Sequence, residues 1–303
     1  DGMLLVVNKS GSTLSFIDGR TGGEVATVET GHAPHEVAVS PDGRWAYVTD
    51  YGTGPAPGNT VTIVDVAARA RVATIQLDEH TRPHGVAVTE DGSVWVTTEG
   101  SRHVLKLDPE TRTIALAAET GQEVTHMVVV ASSHGRVYTA NIGSGTTTAV
   151  DAGTGRVLGH LETGAGAEGL ALSPDGDRVY VTNRSAGTLS EIDVATNTVV
   201  RTLAVGEFPI RVEVMPDGSR ALVSNAQANE LAVVDLAAWQ VERRIPVGEM
   251  PVGIEIVPDG SRAYVANTQA NRVSVVDLTT WRVIGEVTAG EEPDGMAWVG
   301  AAR

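Results

Sequence analysis

Short runs in which apolar residues alternate with polar ones recur along the whole chain, each broken after about six residues by Gly, Pro, Asp or Asn. A period of two over such short windows predicts β-strands rather than helices. One strand type closes on aspartate: TLSFID (Asp18), VTIVD (Asp65), VLKLD (Asp108), TTAVD (Asp151), LSEID (Asp193), LAVVD (Asp235) and VSVVD (Asp277). These seven copies are spaced by 47, 43, 43, 42, 42 and 42 residues. Every copy has the same grammar: a Pro-x-x-hydrophobic strand, a PDG-like turn, a YVTN-like strand, the Asp-terminated strand and a Val/Ile strand. The turns SPDGR, TEDGS, SPDGD, MPDGS and VPDGS supply Pro and a Gly free to take positive φ, as a tight hairpin requires.

Seven four-stranded units in tandem predict an all-β fold, a seven-bladed β-propeller of four-stranded antiparallel blades spanning residues 1–303 as one domain. The chain begins in mid-repeat with MLLVVN and ends with a lone first strand, EEPDGMAWVG. Residues 1–30 and 291–300 are therefore expected to share a closing blade, which leaves no open sheet edge. The segments AYVTD, VYVTN and YVAN, with the PDG turns, resemble the YVTN-family β-propellers over essentially the whole chain. That resemblance implies the fold; it implies no single activity, because propellers carry many. Blade 2, DGSVWVTTEGSRHVLKLDPET, also resembles the repeat of streptogramin B lyases, propellers in which His and Glu hold a divalent metal at one face.

Composition narrows the partners. The formal charge is −16, and the only lysines are Lys9 and Lys106, so a nucleic acid is not an expected partner. No stretch approaches the roughly 18 apolar residues of a membrane span, and no membrane insertion is expected. There is no cysteine, so a metal would need His, Asp, Glu or carbonyl ligands. The absence of cysteine and the start at Asp1 suggest an exported protein, periplasmic or extracellular, expected as a monomer.

Residues present in nearly every blade serve the blade. Leu5, Tyr47, Trp95, Tyr138, Tyr180, Leu222 and Tyr264 share one register and are expected to pack blade on blade. Three residues on, Asn8, Asp50, Thr98, Asn141, Asn183, Asn225 and Asn267 form a polar ring suited to side-chain-to-backbone bonds. The repeated Asp residues are expected to brace turns. Trp239 and Trp281 read as surface residues at the start of outer strands, and His103, His134 and His160 receive no function.

Function is sought where one copy departs from the others. The residue opening each inner strand is His35, His84, His126, Glu168, Ile210, Val252 and Asp294 in turn. Inner strands surround the channel, so four adjacent blades place His, His, His and Glu at one mouth. Three imidazoles and a carboxylate suit Zn, Mn, Fe or Ni. The same position also suits solvated polar side chains or a metal-free, pH-sensitive histidine cluster. His32, His80, Tyr51 and Asp294 are candidates for contact with those ligands or with a bound molecule. Blade 1 alone enlarges its second connection, YGTGPAPGNT, a lid, a partner contact or a tolerated insertion. One residue deeper stand Glu36, Gly85, Met127, Gly169, Arg211, Gly253 and Gly295; Arg211 is a candidate to anchor an anionic ligand group or to pair with Glu168 or Asp294.

Two kinds of function follow. One is a divalent-metal-dependent enzyme of lyase or hydrolase type acting on a small molecule, with Glu36 or Glu168 as base and Arg211 in support. The other is a non-enzymatic binding, scaffold or metal-carrier propeller with a protein or small molecule at the mouth. No GxxxxGK or HExxH motif is present, and no organic cofactor is evident.

Overall fold

The computed structural model describes residues 2–300, and over them the chain is a ring of seven antiparallel four-stranded sheets. The inner strands of blades 1 to 7 are Pro34–Val39, Pro83–Val88, Thr125–Ala131, Ala167–Leu172, Pro209–Val214, Pro251–Ile256 and Pro293–Gly300. Within each blade the strands follow in chain order from the channel outwards. Blade 7 is the exception that closes the ring. Its inner strand is the C-terminal Pro293–Gly300, and the N-terminal Gly2–Asn8, Thr13–Asp18 and Glu24–Glu29 complete it. In blade 3 a single turn of 3-10 helix, Ser132–His134, replaces the Pro-Asp-Gly hairpin.

The repeated residues perform the expected structural work. The aromatic-register ring is buried in every blade, from Leu5 at 0% exposure to Tyr180 at 4%. Each repeat Asp accepts backbone N–H groups of the turn that follows it, as Asp18 does from Arg20 at 3.0 Å and Thr21 at 2.7 Å. The Asn ring bonds mainly to hydroxyls of the third strand rather than to backbone: Asn183 Nδ2 donates to Thr188 and Ser190, both at 3.0 Å. Trp239 and Trp281 keep part of their surface exposed and pack the rest against neighbouring blades.

The head of each inner strand is irregular in the same way. In blade 1, Pro34 pairs with Asp50 and Val37 with Val48, so His35 and Glu36 face a single residue, Thr49. This two-against-one β-bulge recurs in all seven blades. The residue before each bulged strand has positive φ: Ala33, Arg82, Val124, Gly166, Phe208, Met250 and Glu292. Its carbonyl accepts the N–H of the residue just past the Asn ring, as Arg82 does from Glu99 at 3.0 Å and Gly166 from Arg184 at 2.9 Å.

A hydroxyl ties bulge to bulge. Thr182 accepts the Gly169 N–H at 2.8 Å and donates to the Ile210 carbonyl of the next blade at 2.8 Å. Thr49, Thr97 and Ser224 make the same link from blades 1, 2 and 5. Replacing fully buried Thr182 with Val strands one donor and one acceptor. We expect a loss of about 2 kcal/mol, read from urea unfolding at constant m.

Further along the inner strands, blades 5 and 6 carry Glu213 and Glu255 where blades 1, 2, 4 and 7 have alanine. Burial pushes the Glu213 carboxyl up to about 7, and burial with the neighbouring Glu213 charge pushes Glu255 well above its usual range. A carboxyl raised in the folded state holds its proton there after the unfolded chain has released it. Stability therefore falls as pH rises from the unfolded pKa to the folded one. Glu213→Gln is expected to be neutral at pH 4 and stabilising by about 1–3 kcal/mol at pH 8, measured by unfolding at both pH values.

Candidate functional site

Two side-chain rings meet at the mouth, and the local backbone explains both. The first ring is the leading bulge residue of each inner strand. The second is the residue past the Asn ring, held by the positive-φ carbonyl: Lys9, Tyr51, Glu99, Ile142, Arg184, Ala226 and Thr268. The blade 5 and 6 sector is apolar, with Ile210, Ala226 and Val252 packed together. Apart from Ile142 the rest is polar, and His84, His126, Glu168, Thr268 and Asp294 are buried.

The expected histidines converge. The rings of His35 and His84 lie 4.6 Å apart, and those of His84 and His126 lie 3.6 Å apart. Tyr51 flanks them, 4.5 Å from the His35 ring. His84, Glu99 and His126 each offer a ligand atom, all within 4.8 Å of one another. Nδ1 of His84 is buried and has no hydrogen-bond partner among the described residues, so His84 keeps an unused ligand atom.

Glu99 is the residue that register alone did not flag. Its Oε1 lies 2.5 Å from His126 Nδ1, and its Oε2 accepts the Tyr51 hydroxyl at 2.5 Å. Its register, Lys9, Tyr51, Glu99, Ile142, Arg184, Ala226 and Thr268, has no common residue from which Glu99 could be seen to depart. Glu168, on the far side, lies 3.5 Å from His126 Nε2 and 3.0 Å from Arg184. His126 thus bridges two carboxylates.

The electrostatics follow from these contacts. Burial, then the charges of His126, His35 and Arg211, push His84 well below the usual imidazole range, so it is neutral and ligand-competent. Burial opposes charge on His126 too, but Glu168 and Glu99 outweigh it and raise its pKa. Burial would lift Glu99, yet the bond and charge of His126 hold it below the carboxylate norm. The Tyr51 phenol is pushed up to about 12 by burial and by Glu99.

The remaining candidates separate. Asp294 lies 3.4 Å from His35 Nδ1 and 3.3 Å from Lys9. Arg211 reaches neither Glu168 nor Asp294 as an ion-pair partner; it bonds to Glu36, joining blade 5 to blade 1 across the channel. The two are 7% and 8% exposed, so this pair bars the channel one residue below the mouth. His32 is exposed and borders a depression of about 460 Å3 with Lys9, Ser12, His35 and Thr53. The enlarged blade 1 loop supplies Thr53 to that wall, and Arg82 holds the loop through the Thr53 and Gly54 carbonyls. His80 lies apart from the cluster, bonded to Ser101 and packed 4.5 Å from His103. Another cleft, of about 870 Å3, is lined by residues of blades 1 and 2 and includes none of these histidines.

A family model described as YNCE-like beta-propeller matches residues 1–258. Hydrazine synthase from Kuenenia stuttgartiensis superposes with a TM-score of 0.80 at 19% identity, over 91% of this chain and 92% of that one. A functionally unknown protein from Desulfotomaculum acetoxidans gives 0.85 at 13% identity over 99% of each chain. A proposed 6-phosphogluconolactonase from Bacteroides fragilis gives 0.78 at 15% identity, over 99% and 98%. At these identities the likeness is one of fold. Comparison with curated proteins finds no match.

In metal-free protein, His84 is expected to stay neutral down past pH 6, while His126 keeps its proton above pH 6.5. Glu99→Gln removes one of the charges that sustain that proton and lowers the His126 midpoint. Imidazole nitrogen shifts in an NMR titration report both, and a His84 midpoint near 6.5 would contradict its burial.

Proposed function

The chain belongs to the YNCE-like beta-propeller family, and from that fold and the geometry of its mouth we propose that it binds a divalent cation through His84, Glu99 and His126 for hydrolytic or eliminative chemistry on a small molecule. The observation that carries this reading is the buried convergence of three ligand atoms with His84 Nδ1 left unpartnered. Two imidazoles, that of His126 once it has released a proton, and a carboxylate suit Zn, Mn, Fe or Ni and would leave coordination positions open. Such an ion supplies a polarised carbonyl or an activated water when bound.

The chain's own residues have distinct parts. Tyr51 orients Glu99 through its hydroxyl. Arg184 holds Glu168 beside His126, which makes Glu168 the carboxylate placed to take up or return a proton. Glu36 is engaged by Arg211 and is a poor choice for that role. A small molecule in the depression beside His35 would lie next to the first of the three histidines. One similar propeller is described as a proposed lactonase, which supports starting with activated cyclic esters as substrates. A second reading, a metal carrier without turnover, is favoured by the depth of the ligands: His84 is 3% exposed and His126 6%.

Protein purified without a His tag should contain a stoichiometric metal or take up Zn, Mn or Ni. His84→Ala should weaken that binding by about 100-fold or more, since even supporting residues around metals are worth 10- to 100-fold. Affinity should fall between pH 7.5 and pH 6, because protons compete for the imidazoles. Chelator-sensitive turnover of a lactone and ester panel separates enzyme from carrier. Equal metal binding by wild type and His84→Ala would refute the site.

A further inference from the structure

Blade 2 departs from the repeat a second time, outward of the mouth. In the other blades the Asn-ring residue pairs with the residue that opens the third strand, a Thr in blades 1, 3, 4 and 7. Asn183 closes that node by donating to Thr188 and Ser190. Blade 2 has Thr98 and His103 in the two positions. Its outer-to-inner connection, residues 77–82, is also the longest in the ring, and it brings in His80. A residue that serves the blade recurs from copy to copy; these three do not.

The node is rebuilt around Ser101. His103 Nδ1 lies 2.6 Å from the Ser101 carbonyl, which can only accept, so Nδ1 carries the hydrogen and Nε2 the lone pair. Thr98 donates to the His103 carbonyl at 3.4 Å, so its oxygen accepts from the Ser101 hydroxyl at 2.7 Å. That hydroxyl in turn accepts from His80 Nδ1 at 3.0 Å, which gives His80 the same tautomer. The two rings lie 4.5 Å apart. Both turn Nδ1 to Ser101, so each Nε2 faces away from it, without a protein partner among the described residues. Burial and the His103 charge lower the His80 pKa, which keeps that imidazole neutral. Histidines that bind metals are oriented in this way, through an oxygen that holds the other ring N–H. Glu119 lies directly opposite His103 on the fourth strand, so the two side chains share one face of the sheet. Its ion-pair contact with Arg102 is long, 3.9 Å, and its side chain is 60% exposed and free to turn towards the imidazoles.

We infer that His80 and His103 form a second cation site for a divalent ion that prefers imidazole, Zn, Ni or Cu(II), with Glu119 as the third ligand and water in the remaining positions. The site shares no ligand with His84, Glu99 and His126, so it stands whether or not the mouth takes a metal.

The test titrates Zn or Ni by calorimetry into chelator-treated protein without a His tag, as wild type, His103→Thr, Glu119→Gln and His84→Ala. Blades 1, 3, 4 and 7 carry Thr where His103 stands, so the first variant should keep the fold, as a thermal melt will show. His103→Thr should remove one binding event or weaken it at least tenfold, and Glu119→Gln should weaken the same event about threefold. His84→Ala should leave that event unchanged, so a failure of the mouth site lowers the count without touching this one. Trace Cu(II) should broaden the imidazole NMR signals of His80 and His103 before those of exposed His32 and His160. A folded His103→Thr protein that binds metal as wild type does, or broadening that reaches His160 first, overturns the inference.

Discussion

The mouth is built on one backbone constraint, the β-bulge that opens every inner strand. A regular antiparallel strand sends successive side chains to opposite faces, towards the two neighbouring blades. Placing two residues against one breaks that alternation and re-aims a side chain along the edge of the sheet, into the channel. The positive-φ residue before each strand makes the bend and offers its carbonyl to the second strand. This fixes the first and second rings at the same height. Without the bulge His84 and His126 would be blade-packing residues, and Glu99 would have nothing to meet. The hydroxyl links of Thr49, Thr97, Thr182 and Ser224 then hold one bulge to the next, so the spacing between adjacent rings of the cluster is set by backbone rather than by flexible side chains.

Burying so many charges in one place is stable only because each charge has a partner. Lys9 and His35 attend Asp294, Arg211 attends Glu36, Arg184 attends Glu168, and Tyr51 and His126 attend Glu99. The arrangement divides the mouth by task. Blades 7, 1 and 5 supply ion pairs that close the channel, and blades 1 to 4 supply the imidazoles and carboxylates with unused ligand capacity. The apolar sector around Ile210 and Val252 has no charge to satisfy and is packed instead.

The fold was legible because the repeat states it seven times. Strand order, the shared closing blade and the packing ring all follow from the spacing of the Asp-terminated strands and from the two chain ends. His35, His84, His126 and Glu168 were legible as departures within one register. Glu99 was not, because its ring lies on a different strand; only the bulge brings the two rings together. Arg211 illustrates a second limit. Register identifies blade neighbours, whereas its partner Glu36 lies across the channel, where side-chain reach decides. Trp239 and Trp281 read as surface residues since their strands are peripheral, but the turn backbone folds them back over the preceding blade.

His126 sets the terms on which the mouth can take a cation. Its two nitrogens face Glu99 and Glu168, an arrangement that favours a proton on each. A cation taken up in the proposed site would have to displace the proton shared by His126 and Glu99, the two residues that would then hold it. His84 needs no such exchange, since burial and nearby positive charge already keep it neutral. The proposed site would thus combine one imidazole already neutral with one that must give up a proton. The metal-free mouth stays charge-paired, which removes the penalty of an empty anionic pocket, and Glu168 lies beside Nε2, the His126 nitrogen that would keep its proton if Nδ1 took the cation.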